Sequence, residues 1–159
     1  MVRFLLDSGT DIRGVPSCVP LIQACRRGQE KIVDLLLERG AKPDLPFNTP
    51  PLEVEAWREE FYPELRRFGQ PDSTISMAAK AGSLSIIQKL INHGADFSHP
   101  AIGDVAFGYA VTYEYTEIVR FLLRSGATGP DGRQRILGDA IEKGLDSMVE
   151  LLEYEYSRL

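Results

Sequence analysis

Cysteine and histidine are scarce in this chain, and long hydrophobic runs are absent from it. Only two of its 159 residues are cysteine and two are histidine. Cys18 and Cys25 have no histidines at metal-ligand spacing, so we expect neither a metal site nor a disulfide framework. No apolar run approaches the roughly 18 residues that span a bilayer. These features predict a protein without a cofactor, without a membrane partner, and located in the cytoplasm or nucleus.

Positive charge is also in short supply. The chain has 18 lysines and arginines against 23 aspartates and glutamates, a formal net charge of -5. Such a balance disfavours binding to nucleic acid or anionic membranes by bulk charge. The two histidines, His93 and His99, fall at a predicted helix end and in a loop, and no acid–base or nucleophilic constellation surrounds them. We therefore expect no catalytic residues and no enzyme.

One short phrase recurs four times along the chain. Residues 2–9 (VRFLLDSG) match residues 119–126 (VRFLLRSG) at all positions but one, and residues 32–41 and 86–95 follow the same pattern. Apolar residues at i, i+1, i+4 and i+5 form one face of a short helix, and the glycine that follows ends it. Repetition of this kind predicts a repeat architecture.

A second apolar stretch precedes three of these helices and contains a recurring alanine. These three alanines are Ala24, Ala78 and Ala110, and the last unit has Ala140 at the matching position. The intervals between the four are 54, 32 and 30 residues. The repeating unit is therefore a helix, a tight turn, a second helix and a loop. A single insertion accounts for the longest interval.

The segment PLIQACRRG at residues 20–28, followed by IVDLLLERGA at residues 32–41, resembles an ankyrin repeat. The resemblance covers nearly the whole chain. It implies an all-α helix–turn–helix solenoid of about three and a half repeats with one insertion. We expect one domain over residues 1–159, divided as follows: a partial repeat at 1–12, repeats at 13–44, 73–99 and 100–128, an insertion at 45–72, and a C-terminal capping repeat at 129–159.

The two ends of the array depart from the repeating pattern. Met1 falls inside a second helix, so either the sequence is a fragment of a longer array or its leading helix acts as an improvised cap. At the other end, Tyr156 replaces the closing glycine. Five charged residues would supply the polar outer face of a cap: Glu142, Lys143, Asp146, Glu150 and Glu153.

The insertion is rich in proline and aromatic residues. It holds five of the ten prolines together with Trp57 and Phe61, which is not the composition of a disordered linker. Trp57 and Phe61 are four residues apart and share one face of a predicted short helix. They either pack against the repeats or contact a partner.

The resemblance to ankyrin repeats implies a non-enzymatic scaffold or adaptor that binds a protein through its inner helices and loops. Basic residues lie at the ends of three of the four first helices, and Tyr113 lies near the centre of the surface that these ends form. We expect a monomer whose partner-binding residues recognise an acidic segment: Arg26, Arg27, Lys80, Tyr113, Lys143 and Trp57. Two alternatives stay open. The basic residues simply favour helix ends and solvent, or the chain is a regulatory portion of a larger multidomain protein whose activity is encoded elsewhere.

Comparison of the repeating units also predicts whether individual residues lie in helices or in loops. Cys25 occupies a first-helix position and is predicted to be a small buried hydrophobe, whereas Cys18 is placed in a loop. Ile102 and Asp104 are also placed in a loop, as is the glycine-rich segment 126–132.

Overall fold

A computed structural model describes residues 18–43, 73–97 and 100–158. Within these ranges the chain forms eight helices and no strands. The helices are α1 (Cys18–Arg26), α2 (Glu30–Glu38), α3 (Thr74–Lys80), α4 (Leu84–Asn92), α5 (Pro100–Thr112), α6 (Thr116–Arg124), α7 (Pro130–Glu142) and α8 (Asp146–Tyr156). The predicted all-α solenoid of helix–turn–helix units is confirmed. The expectations for residues 1–12, for Trp57 and for His99 lie outside the described residues.

The second helix of each unit buries one apolar face. In α2 the buried residues are Val33, Leu36 and Leu37, spaced as neighbours on a helix surface. Gly40 then ends the segment with φ +85°. Its N–H donates to the Leu37 carbonyl at 2.9 Å, and the N–H of Ala41 donates to the Leu36 carbonyl at 3.0 Å. A left-handed residue in this position closes a helix, and glycine adopts it without a steric cost.

Serine side chains fix the starts of the helices in the second unit. The Ser73 hydroxyl accepts from the Ser76 N–H at 3.0 Å, and the Ser76 hydroxyl accepts from the Ser73 N–H at 2.9 Å. This reciprocal pair satisfies donors that a helix start would otherwise leave unpaired. Ser83 caps α4 in a similar way by accepting from the N–H of Ile86.

The units stack through two rows of helices. The first helices, here called the inner helices, pack in the order α1, α3, α5 and α7, while α2 packs on α4 and α6 on α8. One hydrophobic cluster runs through all four units. The recurring alanines are buried in the inner helices, with at most 2% of their surface exposed: Ala24, Ala78, Ala110 and Ala140. Small side chains at these sites let neighbouring helices approach closely.

The array continues across the segment that separates the first two units in sequence. Helix α1 packs directly on α3. The Thr74 hydroxyl also donates to the Pro43 carbonyl at 2.5 Å. Pro43 and Thr74, the described residues on either side of the long interval, therefore lie side by side, which explains how the distance in sequence between Ala24 and Ala78 leaves the stacking intact.

Three loop assignments were wrong. Ile102 and Asp104 lie inside α5, and residues 130–132 begin α7 rather than extending the preceding loop. Cys18 is the first residue of α1. The physical reason in α5 and α7 is a proline at the first position, where a missing N–H costs nothing because that N–H has no partner within the helix.

Asp104 ties the start of α5 to the following connection. Its carboxylate accepts from the Thr128 hydroxyl at 2.5 Å and from the Arg135 guanidinium at 2.7 Å. A side chain on Gly132 would collide with the carboxylate of Asp104 and the hydroxyl of Thr128, and one on Gly103 would collide with the Ala127 carbonyl. The two long inner helices are thus joined by close polar contacts as well as by apolar packing.

The last unit presents the predicted charged residues to solvent. All five are exposed: Glu142, Lys143, Asp146, Glu150 and Glu153. Tyr156 folds back, and its hydroxyl donates to the Arg133 carbonyl at 3.2 Å. Ile141 differs from this polar pattern because 59% of its surface is exposed, whereas Val111 at the matching position of the third unit is 2% exposed.

Candidate protein-binding surface

Five of the six predicted site residues lie at the ends of the inner helices. Arg26 and Arg27 stand at the end of α1 and are exposed. Lys80 is the last residue of α3, Tyr113 follows α5, and Lys143 follows α7. Each inner helix ends at the tight turn that leads into its outer partner. The five residues therefore share the edge of the molecule that carries these turns, and we call it the turn edge.

The sixth residue, Trp57, is outside the described residues, so its role stays a prediction. The same holds for the choice between packing and partner binding by segment 45–72. The turn edge can be described without them, because its side chains come from the four inner helices and the turns that follow.

A strained backbone residue shapes the centre of this edge. The tight turns of three units contain a glycine with positive φ, such as Gly82 at +72°. Glu114 takes that position in the third unit and has φ +57°. The turn still closes, because the Tyr115 N–H donates to the Ala110 carbonyl at 2.8 Å. Tyr113 and Tyr115 therefore flank a residue with a left-handed backbone conformation.

Three tyrosines form a stacked group, which we call the tyrosine cluster: Tyr109, Tyr113 and Tyr115. The Tyr109 and Tyr113 ring centroids are 6.4 Å apart, and those of Tyr113 and Tyr115 are 5.9 Å apart. The Lys80 ammonium lies 5.1 Å from the Tyr109 ring centroid, within the range of a cation–π interaction. Tyr113 is 47% exposed. The cluster therefore offers a rigid apolar surface beside a positive charge.

The tyrosine cluster bridges the second and third units. A Cβ atom on Gly82 would lie only 2.7 Å from the Tyr115 ring, so this ring rests directly on the turn of the preceding unit. From the sequence we predicted Lys80 and Tyr113 as site residues, but not Tyr109 and Tyr115. The sequence does contain a signal for Tyr109. It is an aromatic residue at a position where the first two units carry the non-aromatic residues Gln23 and Met77.

A groove of about 240 Å³ follows the cluster, between α5 and α7. At its far side the Lys143 ammonium donates to the Thr112 hydroxyl at 3.1 Å, which joins the third and fourth units. The groove combines an apolar floor with a polar rim. The floor includes Val111, Ile136 and Ala140, and the rim includes Tyr109, Asp139 and Lys143.

Positive charge on the turn edge is concentrated in its first two units. Asp139 and Glu142 are exposed beside Lys143, so the fourth unit is not uniformly basic. Arg26 and Arg27 have no such acidic neighbours in their own helix α1. The predicted line of cations thus runs from a basic end to a mixed end.

Two ion pairs join the outer helices, away from the turn edge. The Lys89 ammonium on α4 is 2.8 Å from the Asp34 carboxylate on α2, and the hydrogen bond to Asp34 raises the pKa of Lys89. The Arg120 guanidinium on α6 lies 3.2 Å from the Glu155 carboxylate on α8. These two pairs join successive outer helices.

Nucleophilic and metal-binding chemistry receives little support from the described residues. Cys25 is fully buried, and burial raises the pKa of its thiol to about 12. A thiol in that state is not a nucleophile at neutral pH. His93 caps the end of α4, with its Nδ1 atom 2.9 Å from the Lys89 carbonyl. The described ranges contain no group of three or more metal-binding side chains and no helix able to cross a bilayer.

Comparison with known proteins gives matches over most of the chain. The family model described as "Ankyrin repeats (3 copies)" matches residues 74–157, and the model described as "Ankyrin repeat" matches residues 18–47. An ankyrin repeat and KH domain-containing protein of Caenorhabditis briggsae is 26% identical over 141 residues. That match covers 80% of this chain and 5% of the relative. The chain thus spans a small part of the length of the relative.

Proposed function

Because this chain belongs to the ankyrin repeat family, we propose that it is a non-enzymatic module that binds another protein along its turn edge. Ankyrin repeats generally mediate protein–protein interactions and are typically non-enzymatic. A repeat scaffold of this kind acts through the chemistry of its surface, which must be argued from particular residues.

We propose that the partner contributes an acidic segment. The observation that carries this proposal is the exposure of Arg26 and Arg27 on the same edge as Lys80 and the tyrosine cluster. Complementary charge gives specificity and speeds association. Tyrosines contribute a large contact area at a small conformational cost, because the side chain has few rotatable bonds. Lys143 and, outside the described residues, Trp57 are further proposed contacts.

A second candidate is a regulatory portion of a larger ankyrin-repeat protein. This candidate is favoured by the relative, of which the chain covers only 5%. The KH domain named in that protein is a property of the relative. In either case we propose one repeat domain over residues 1–159, monomeric and located in the cytoplasm or nucleus.

A charge-reversal experiment tests the turn edge. The variant Arg26→Glu/Arg27→Glu/Lys80→Glu reverses three charges on the turn edge. A matched variant, Lys42→Glu/Arg124→Glu/Arg158→Glu, makes the same change in net charge at exposed sites away from the turn edge, beyond or at the ends of the outer helices: Lys42, Arg124 and Arg158. Each protein is checked by circular dichroism and then used for affinity capture from native extract, with the captured proteins quantified by mass spectrometry.

We expect the wild type and the matched variant to capture the same proteins and the turn-edge variant to lose them. A glutamate-rich peptide should compete with capture, whereas its glutamine analogue should not. Equal losses in both variants would show that only net charge matters and would reject the site. Undiminished capture by the turn-edge variant would also reject it and would direct attention to Trp57.

A further inference from the structure

Gly108 is placed where neither the backbone nor the surrounding space calls for glycine. It lies in the interior of the 13-residue helix α5, where glycine is less favourable than alanine. A Cβ atom at this position would meet no atom within 4 Å. Matching positions in the first, second and fourth units carry Ile22, Ser76 and Gly138. Of the two glycines, only Gly108 lines the groove between α5 and α7. The absence of a side chain at this position keeps that part of the groove open.

The groove suits an apolar side chain that arrives from outside. Its floor is apolar at Val111, Ile136 and Ala140, and the ring of Tyr109 forms part of its rim. Its volume of about 240 Å³ is large enough for a leucine-sized group. A helix interior normally disfavours glycine. Functional sites often contain residues that go against the local preference in this way, and here such a residue lines an open apolar groove.

We infer that this groove binds one apolar side chain of the same extended acidic segment that the basic end of the turn edge recognises. The inference rests on the proposed function. The segment lies with its carboxylates over Arg26, Arg27 and Lys80, crosses the exposed ring of Tyr113, and inserts its apolar side chain beside Gly108. Charge complementarity sets this orientation, since the basic residues lie in the first two units and the groove lies between the last two.

The stacking of the helices sets the spacing of the recognised residues. Packed helices lie about 8–10 Å apart. Because the groove lies between α5 and α7, it is about one and a half helix spacings, or roughly 12–15 Å, from the axis of α3. It is about two and a half spacings, or roughly 20–25 Å, from the axis of α1. An extended chain covers about 3.3–3.6 Å per residue. The acidic residues therefore stand about four and about seven positions from the apolar one.

Synthetic peptides test this arrangement. The probe is a fluorescein-labelled dodecapeptide with acidic residues four and seven positions from a single leucine and with glycine and serine elsewhere, made in both chain directions. A second peptide replaces the leucine with serine. Affinities are measured by fluorescence anisotropy for the wild type, for Gly108→Leu, which fills the groove, and for Gly138→Leu. Gly138 is the matching helix position in the fourth unit, also has open space around a Cβ atom, and does not line the groove.

The wild type should bind the leucine peptide about tenfold or more tightly than the serine peptide, the effect of burying one apolar side chain. Gly138→Leu should keep this preference, and Gly108→Leu should lose it while still binding both peptides through their carboxylates. Gly108→Ala adds one methyl group and should give a smaller loss in the same direction, which keeps the test valid if the leucine variant does not fold.

Three results would count against these ideas, and they are distinguishable. Equal binding of the leucine and serine peptides by the wild type would overturn the groove inference and leave acidic recognition standing. A preference that persists in Gly108→Leu would overturn the location of the apolar site. Failure of the wild type to bind either peptide would reject the proposed function and the inference together.

Discussion

Replacement of Glu114 by glycine should make the protein more stable. Glu114 closes the turn between α5 and α6 with φ +57°, a conformation that Gly28 and Gly144 supply in other units. For a residue with a side chain, the left-handed conformation costs about 1–2 kcal/mol. The substitution removes that cost without disturbing the core, because the Glu114 side chain is exposed.

The expected gain is smaller than the strain that is relieved. Glycine also increases the conformational freedom of the unfolded chain, which offsets about 0.5–1 kcal/mol. Loss of a carboxylate beside the negative end of the α5 helix dipole contributes in the stabilising direction. Together these effects predict a net increase of about 0.5–1 kcal/mol in the free energy of unfolding.

Urea denaturation followed by circular dichroism measures this change. Glu114→Gly should raise the midpoint without altering the slope of the unfolding free energy against urea. The reverse substitution, Gly28→Ala, is a suitable control, because φ is +62° and a Cβ atom would meet nothing within 4 Å. It should destabilise through backbone conformation alone. An unchanged or lower midpoint for Glu114→Gly would refute the reasoning that Glu114 stores strain.

Three further predictions concern the core. Leu36 is fully buried, so Leu36→Ala should cost about 2–5 kcal/mol; a loss under about 0.5 kcal/mol in urea unfolding would contradict its place in the core. Gly103→Ala should cost about 1–3 kcal/mol or more, since its Cβ would collide with the Ala127 carbonyl, and a midpoint equal to the wild type would refute that contact. The Cys25 thiol, whose pKa burial raises from 9.0 to about 12, should resist iodoacetamide at pH 8 until the protein unfolds, as followed by peptide mass mapping. Because the unfolded thiol ionises at lower pH than the folded one, its contribution to stability should fall as pH rises from about 9 towards 12, and a Cys25→Ala variant should lack that part of the pH dependence.

The local features of each unit could be predicted because short-range physics determines them. The spacing of Val33, Leu36 and Leu37 places all three on one face of a helix. Gly40 follows at the point where a left-handed residue ends the helix. Repetition of that pattern predicted a helical repeat architecture, and the resemblance of residues 20–41 to an ankyrin repeat specified its type. Burial of Cys25 followed from its position in the pattern.

The starts of the long inner helices were harder to predict. Glycines and prolines around residues 100–104 and 129–132 favour a loop on local grounds. The structure instead places Pro100 and Pro130 at the first positions of helices, and Asp104 bonds Thr128 and Arg135, which are 24 and 31 residues away in sequence. Contacts over such separations cannot be inferred from the local pattern.

The sequence by itself determined the repeating helix pairs, their apolar faces, the glycines that end most of them and the basic residues at the ends of α1 and α3. Only the tertiary structure determined which side chains come together on the turn edge. It stacked Tyr109, Tyr113 and Tyr115, placed Lys80 against the first of these rings, and opened a groove beside Gly108. The reason is that helix formation depends on residues three or four apart, whereas a surface shared by several units depends on how their helices stack.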